Sequence, residues 1–174
     1  MEIVIASKNK GKIVEIINYD NTISKIDWLT FEDFEKIPDI EETGDSFLDN
    51  AIIKAEAISK FTRKTALADD SGLIVDALDG KPGVRSSRFA GPHATDKENR
   101  DKLLDEIKSI KDPGSRSARF VCSMILWDLE KGLIFKTDGI CEGSIGFEEK
   151  GTGGFGYDSI FIPGGYDRTM AELD

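Results

Sequence analysis

The apolar positions of the chain alternate between continuous runs and helix-spaced stripes. Residues 2–6 and 65–76 are rich in Ile, Val, Leu and Ala, which predicts buried strands. Apolar residues three and four positions apart over 46–61 predict an amphipathic helix that begins at Ser46. Two further runs, 119–127 and 133–141, flank turn-forming residues and predict an antiparallel hairpin. Alternating β and α elements with an inserted hairpin predict an α/β fold with a mixed sheet.

A polar loop at 7–12 separates the first predicted strand from a helix that carries Ile13 and Ile17. Such a junction directs backbone N–H groups and the positive helix end toward an anion, and three lysines add charge. The spacing is neither that of a Walker phosphate loop nor that of a dinucleotide fingerprint. A solvated, lysine-rich helix start explains the loop equally well, so both interpretations stay open.

The 65–76 run contains two adjacent carboxylates, Asp69 and Asp70, followed by Ser71 and Gly72. We expect the chain to leave the sheet there, and strand ends of α/β sheets are where ligands bind. Neighbouring residues on an extended chain face opposite sides, so the two aspartates should have different roles. A polar turn whose side chains satisfy backbone donors remains the alternative.

The predicted helix over 46–61 adds a second group of polar residues. Asn50 and Lys54 lie one turn apart, so both could reach one ligand, although a solvated lysine is the more common case. With Glu41, Glu42 and Asp70 they fall within some thirty residues. Carboxylates with a lysine suit a magnesium–polyphosphate complex.

Glycines crowd the segment 151–158, where Phe155 and Tyr157 are the only bulky side chains. An aromatic residue on a glycine-rich loop could stack on a base, and a glycine hinge is the alternative.

Two further segments have local signals of structure. Thr95 is expected to cap another helix, which Asp112 and the residues after it stop. Glycine and proline are expected to exclude regular structure over 79–93.

Composition narrows the functional classes. The 174 residues include 33 acidic and 23 basic side chains, a formal charge of -10, which argues against a nucleic-acid or anionic-membrane surface. No apolar run approaches the about 20 residues that span a bilayer, and no signal peptide precedes the first strand, so we expect a cytoplasmic protein. Cys122 and Cys141 are expected to be reduced, and His93, the single histidine, to lie at the surface.

Five motifs in order across nearly the whole chain resemble the Ham1-type family of inosine and xanthosine triphosphate pyrophosphatases. The matching stretches are Ser7-x-Asn9-x-x-Lys12, Glu41-Glu-Thr-Gly44 with Asn50-Ala51 and Lys54-Ala55, Ala68-Asp-Asp-Ser-Gly72, Gly80-x-Pro-Gly83 with Ser87-Arg88, and Gly151-Thr-Gly-Gly-Phe-Gly-Tyr-Asp158.

The resemblance implies a diphosphate-releasing hydrolase of acid anhydrides that converts ITP, dITP and XTP to the monophosphate and pyrophosphate. It also implies an elongated mixed sheet flanked by helices, with two lobes and a central substrate cleft, within one domain that spans residues 1–174. The cofactor would be Mg²⁺ or Mn²⁺ and the assembly a homodimer. No nucleic acid or membrane partner is expected.

The resemblance also assigns roles by position. Asp70 would be the proton acceptor for the attacking water and a magnesium ligand with Glu41, and Asp69 a supporting or second-metal contact. The predicted substrate-binding residues are Ser7, Asn9, Lys12, Lys54, Ser71, Phe155, Gly156, Tyr157 and Asp158.

The chain departs from the family at its end. Family members continue into a Ser-His-Arg segment and a C-terminal helix that help read the purine, whereas this sequence stops at Asp174, so we expect a C-terminal segment to be missing. Two alternatives remain. One is a Maf-type pyrophosphatase for modified pyrimidine nucleotides, whose first loop should differ. The other is a nucleotide-binding regulator without turnover, against which the presence of Glu41 and Asp70 argues.

Overall fold

The computed structural model describes residues 1–20 and 26–173. Six strands form one mixed sheet in the order β2-β1-β3-β4-β5-β6. Three α-helices accompany the sheet in these described ranges, and the α/β class and mixed sheet that the sequence predicts are confirmed. The elements are β1 (Glu2–Ile5), α1 (Lys10–Asp20), β2 (Asp27–Leu29), α2 (Phe47–Thr62), β3 (Thr65–Val75), α3 (Asp96–Glu106), β4 (Ser117–Asp128), β5 (Gly132–Ile145) and β6 (Phe161–Pro163).

The chain divides into two compact units, and it passes between them within β3, β4 and β5. Unit 1 comprises Met1–Asp70 and Cys122–Asp138, and unit 2 comprises Ser71–Val121 and Gly139–Asp174. Neither unit is one continuous segment.

Unit 1 is built on the parallel strands. β1 pairs with β2 on one side and with β3 on the other, where Ile5 lies opposite Leu67. The buried face of α2 packs against these strands because its apolar residues recur at helical spacing. The resulting core consists of Val4, Ala6, Ala51, Ala55, Ile58, Ala66, Ala68 and Ile125.

Unit 2 has its own core, formed by α3 and the distal parts of the long strands. β5 pairs with β6 in antiparallel register, and Thr95 caps α3 through a capping box with Glu98. The buried apolar residues are Leu73, Val75, Leu103, Ile107, Ala118, Ile145, Tyr157, Ile160 and Phe161. Within the described ranges, no helix has both the length and the apolar character needed to cross a membrane.

Three predictions of local structure are wrong. The chain does not leave the sheet at residues 69–72, and β3 continues to Val75. The neighbouring strand β1 ends opposite Leu67, but the twelve-residue strand β4 flanks β3 on its other side, so β3 remains in the sheet. The segment 79–93 contains a 3₁₀ helix, Gly83–Arg88, despite its glycines and prolines. Helix α3 ends at Glu106, before Asp112. The hairpin β4–β5 and helix α2 agree with the sequence pattern.

Candidate active site

The carboxylate of Asp70 is buried in the middle of β3, with 8% of the residue exposed, and two side chains of α2 reach it. The Asn50 Nδ2 group donates a hydrogen bond of 3.0 Å to Asp70 Oδ2. The Lys54 Nζ atom lies 3.8 Å from Asp70 Oδ1. Residues four apart share one face of a helix, and this spacing lets one turn of α2 contact both oxygens of one carboxylate.

The turn before α2 brings a second carboxylate to Lys54. Glu42 is half-buried, and its Oε1 atom lies 2.9 Å from Lys54 Nζ. Glu41, which the resemblance selects as a metal ligand, is exposed. The structure therefore brings Glu42, not Glu41, into the group that surrounds Asp70.

Asp69 has a different cationic partner. Its Oδ2 atom lies 2.5 Å from Lys12 Nζ, and the residue is 5% exposed. The Cys122 thiol on β4 lies 4.0 Å from the same oxygen. The separate partners of Asp69 and Asp70 agree with the alternation that the sequence predicts along an extended chain.

The first loop supports Lys12 through its polar side chains. The Asn9 Oδ1 atom accepts a hydrogen bond of 3.3 Å from the Lys12 backbone N–H, and Ser7 Oγ accepts one of 3.1 Å from Asn9 N–H. These contacts satisfy backbone donors at the start of α1, which otherwise lack partners within the helix. Ser7 and Asn9 thus shape the loop, and their substrate-binding roles stay predictions.

Burial dominates the electrostatics of this group. Loss of hydration raises the pKa of Asp70, while Lys54 and the Asn50 hydrogen bond lower it, Glu42 raises it and Lys12 lowers it. Burial, with the nearby charge of Asp69, also raises the pKa of the Cys122 thiol to about 11. Cys122 is therefore protonated at neutral pH and is not a nucleophile.

Unit 2 contains the glycine-rich loop, and two side chains of α3 form hydrogen bonds with the backbone of one of its residues, Gly156. Gly156 N–H donates to Asp96 Oδ2 at 2.9 Å, and Arg100 Nη1 donates to the Gly156 carbonyl at 2.7 Å. Phe155 N–H donates to Asp158 Oδ2 at 2.8 Å. Phe155 itself is 40% exposed. Sequence reasoning missed Asp96 and Arg100, because each lies about sixty residues from its partner.

Two further predicted substrate residues occupy less accessible positions. Tyr157 belongs to the core of unit 2, and its hydroxyl donates a hydrogen bond of 2.8 Å to the Ser86 carbonyl. Its side chain therefore has a scaffold role in the structure. Ser71 follows Asp70 within β3 and is half-buried. Substrate contacts of both residues stay predictions.

The carboxylates can be tested for their fit to a metal ion. In the part of the chain that the structure describes, no three His, Cys, Asp or Glu side chains form a metal-holding group. Mg²⁺ does not require such a group, since it keeps several waters and binds one or two carboxylates together with substrate phosphates. Asp70 and Glu42, which share the ammonium of Lys54, supply oxygen donors of the required kind.

Comparison with known proteins identifies the family. The model of the Ham1 family matches residues 3–174. The chain is 48% identical to the dITP/XTP pyrophosphatase of Oceanobacillus iheyensis and 47% identical to that of Halalkalibacterium halodurans, in each case over 99% of this chain and 87% of the relative. The solved structure of a HAM1 protein from Coxiella burnetii superposes with a TM-score of 0.89 at 43% identity, over 100% of this chain and 87% of that one. The Ham1 protein of Staphylococcus aureus gives a TM-score of 0.86 at 39% identity, with the same coverage. The chain belongs to the Ham1 family.

Proposed function

We propose that the protein hydrolyses non-standard purine nucleoside triphosphates (ITP, dITP and XTP) to the monophosphate and pyrophosphate. The observation that carries the proposal is the buried Asp70 carboxylate with Lys54 and Glu42 beside it. Relatives named dITP/XTP pyrophosphatase, 42–48% identical over nearly all of this chain, support the choice of substrate.

The side chains of unit 1 suit attack of water on the α-phosphorus. Such a reaction needs alignment of the nucleophile and neutralisation of charge on the phosphate oxygens. Lys54 and Lys12 carry the positive charge, and both are largely buried against carboxylates, with 16% and 20% of their side chains exposed. Asp70 accepts the proton of the attacking water as the bridging oxygen leaves with pyrophosphate. A raised pKa suits a general base that works near neutral pH.

A divalent cation, Mg²⁺ or Mn²⁺, completes the proposed site. Asp70 and Glu42 would hold it, with Glu41 and Asp69 as the further ligands that the family resemblance suggests. The cation would neutralise charge on the phosphate oxygens. In unit 2, the exposed ring of Phe155 supports a proposed role in stacking on the base, with Gly156, Tyr157 and Asp158 beside it in sequence.

The proposed assembly is a homodimer. The outer edge of β5 before Gly143 has no strand partner among the described residues, and Leu133, Ile134 and Phe135 on it are 42%, 49% and 56% exposed. Unpaired apolar strand edges are sites of chain association. Sedimentation of the wild type should give a dimer, and Ile134→Lys should shift it to a monomer.

A proposed cytoplasmic location fits the two free cysteines.

A pyrophosphate assay tests the function. The protein is incubated with Mg²⁺ and ITP, XTP, GTP or ATP, with and without a chelator. Release from the first two only, abolished by the chelator, supports the proposal. Release from modified pyrimidine triphosphates instead would indicate the Maf-type activity, and binding without release would indicate a regulator.

A further inference from the structure

Asn50 is fully buried on α2 and makes a hydrogen bond at each end of its amide. Its Oδ1 atom accepts from the Gly44 backbone N–H at 2.8 Å, and its Nδ2 group donates to Asp70 Oδ2 at 3.0 Å. One side chain therefore links the turn before the helix to the carboxylate in β3.

The chemistry of the two partners fixes the orientation of this amide. A backbone N–H can only donate, so the amide oxygen must face Gly44 and the NH₂ group must face Asp70. Asp70 then accepts from Asn50 through Oδ2, while Oδ1 lies 3.8 Å from Lys54 Nζ. The carboxylate is held at both oxygens by residues one helical turn apart.

The turn itself approaches α2 closely. A Cβ atom at Gly44 would lie 2.6 Å from Asp49 Cβ and 2.8 Å from Asn50 Oδ1, distances that require something to shift. Two positions earlier the same turn supplies Glu42, which pairs with Lys54. Because Gly44 has no side chain, its N–H can approach Asn50 closely enough to donate a hydrogen bond, and this bond fixes the turn that carries Glu42.

We propose that Asn50 is a positioning residue that holds Asp70 and the Glu42-bearing turn in the arrangement that binds the metal–triphosphate complex. This inference rests on the proposed function and extends it to a residue without a reacting atom. Partners that orient metal-binding carboxylates commonly contribute about 10- to 100-fold to metal affinity or activity.

Unit 2 provides a matched control. Asn99 is 1% exposed on α3, and its Oδ1 accepts from Ala90 N–H at 2.7 Å while its Nδ2 donates to the Ser87 carbonyl at 3.1 Å. It makes the same type of bridge as Asn50, but both of its partners are backbone groups. Replacement of either asparagine therefore removes two hydrogen bonds made by the amide of a buried residue.

The experiment measures Mn²⁺ binding to the full chain by electron paramagnetic resonance, with α,β-methylene inosine triphosphate present, and thermal unfolding of each variant. Asn50→Leu should weaken Mn²⁺ binding about 10- to 100-fold, and Asn99→Leu should leave it within about twofold. Gly44→Ala should weaken it in the same direction as Asn50→Leu, and it provides the test if Asn50→Leu does not fold.

A double-mutant cycle tests whether Asn50 acts through Asp70. Adding Asn50→Leu to Asp70→Asn should cause little further loss of Mn²⁺ affinity, because the partner is already changed. Wild-type Mn²⁺ affinity in folded Asn50→Leu and Gly44→Ala, or equal losses in Asn50→Leu and Asn99→Leu, would overturn the inference. Absence of pyrophosphate release by the wild type would instead overturn the proposed function.

Discussion

Buried charges occur in both units of this protein, and their surroundings differ. In unit 2 the residue Arg116 is 2% exposed, and among the described residues its guanidinium donates hydrogen bonds only to backbone carbonyls, at 2.6 to 3.1 Å. The acceptors are Ile145, Ile107, Ile110 and Gly146. In unit 1 the Asp70 carboxylate is surrounded by side chains, and two of them, Lys54 and Glu42, are themselves charged.

The difference distinguishes a buried charge that stabilises the fold from one that is available for ligand binding or catalysis. Backbone carbonyls cannot move far or change protonation, so Arg116 is fixed in one state that joins the end of α3 to β5. A charged side chain can leave one ionic partner for another. Lys54, which lies between the carboxylates of Glu42 and Asp70, can therefore rotate to contact a phosphate group. We infer that the charges of unit 1 are arranged for a ligand and those around Arg116 for the fold.

Asp70→Asn is the strongest test of this distinction. The substitution should lower turnover about 10²- to 10⁴-fold, the usual contribution of a positioned general base. It should not lower stability. The raised pKa of Asp70 means that its charge costs stability at pH above that pKa, and the cost disappears below the ordinary value of 3.8. At pH 7 the variant should therefore melt at or above the wild-type temperature.

A matched control is Asp105→Asn on α3, whose side chain is 69% exposed and pairs with Lys108. Its turnover and melting temperature should match the wild type. Calorimetry and the pyrophosphate assay measure both properties on the same samples. Wild-type turnover in Asp70→Asn would remove Asp70 from the mechanism, and a large loss of stability would make its role structural.

Arg116→Met should give the opposite result. The substitution removes four hydrogen bonds from the guanidinium to backbone carbonyls, three of them buried, so the free energy of unfolding should fall by about 3 kcal/mol or more. Turnover per folded molecule should stay unchanged. Urea unfolding measures the loss. The control is Arg119→Met, three residues later on β4, where a partly exposed ion pair with Asp76 should contribute less than about 1 kcal/mol.

The sequence predicts those parts of the fold that depend on neighbouring residues. Helix α2 begins after Ser46, whose hydroxyl accepts from the Asp49 N–H, and its apolar stripe packs in the core as expected. The separation of Asp69 from Asp70 also follows from local geometry, because side chains alternate along a strand.

Features that depend on distant partners could not be predicted in the same way. β3 continues past Gly72 because β4, some fifty residues later, flanks it. The choice between Glu41 and Glu42 depends on how the turn meets Lys54, and the two residues have the same chemistry in the sequence. The contacts of Asp96 and Arg100 with Gly156 likewise join segments about sixty residues apart.

Glu42→Gln and Glu41→Gln remove the same charge at adjacent positions of unit 1, so together they test which carboxylate belongs to the site. Glu42→Gln should raise the Mg²⁺ concentration for half-maximal rate about 10-fold, since Glu42 pairs with Lys54 beside Asp70. Glu41 is exposed, and its variant should change that concentration by less than about twofold. The reverse ranking would favour the ligand that the family resemblance selects.

Phe155→Ala asks whether unit 2 contributes more than a scaffold. Phe155 is 40% exposed, and its backbone N–H donates a hydrogen bond to Asp158 Oδ2. If the ring stacks on the base, its loss should raise KM for ITP about fivefold, near the lower end of measured base–aromatic stacking, and change kcat little. Tyr166→Ala, a 57% exposed aromatic residue in the same unit, should leave both constants unchanged. Steady-state kinetics with ITP measures the difference, and an equal effect of the two substitutions would limit unit 2 to the structural role that Arg116 represents.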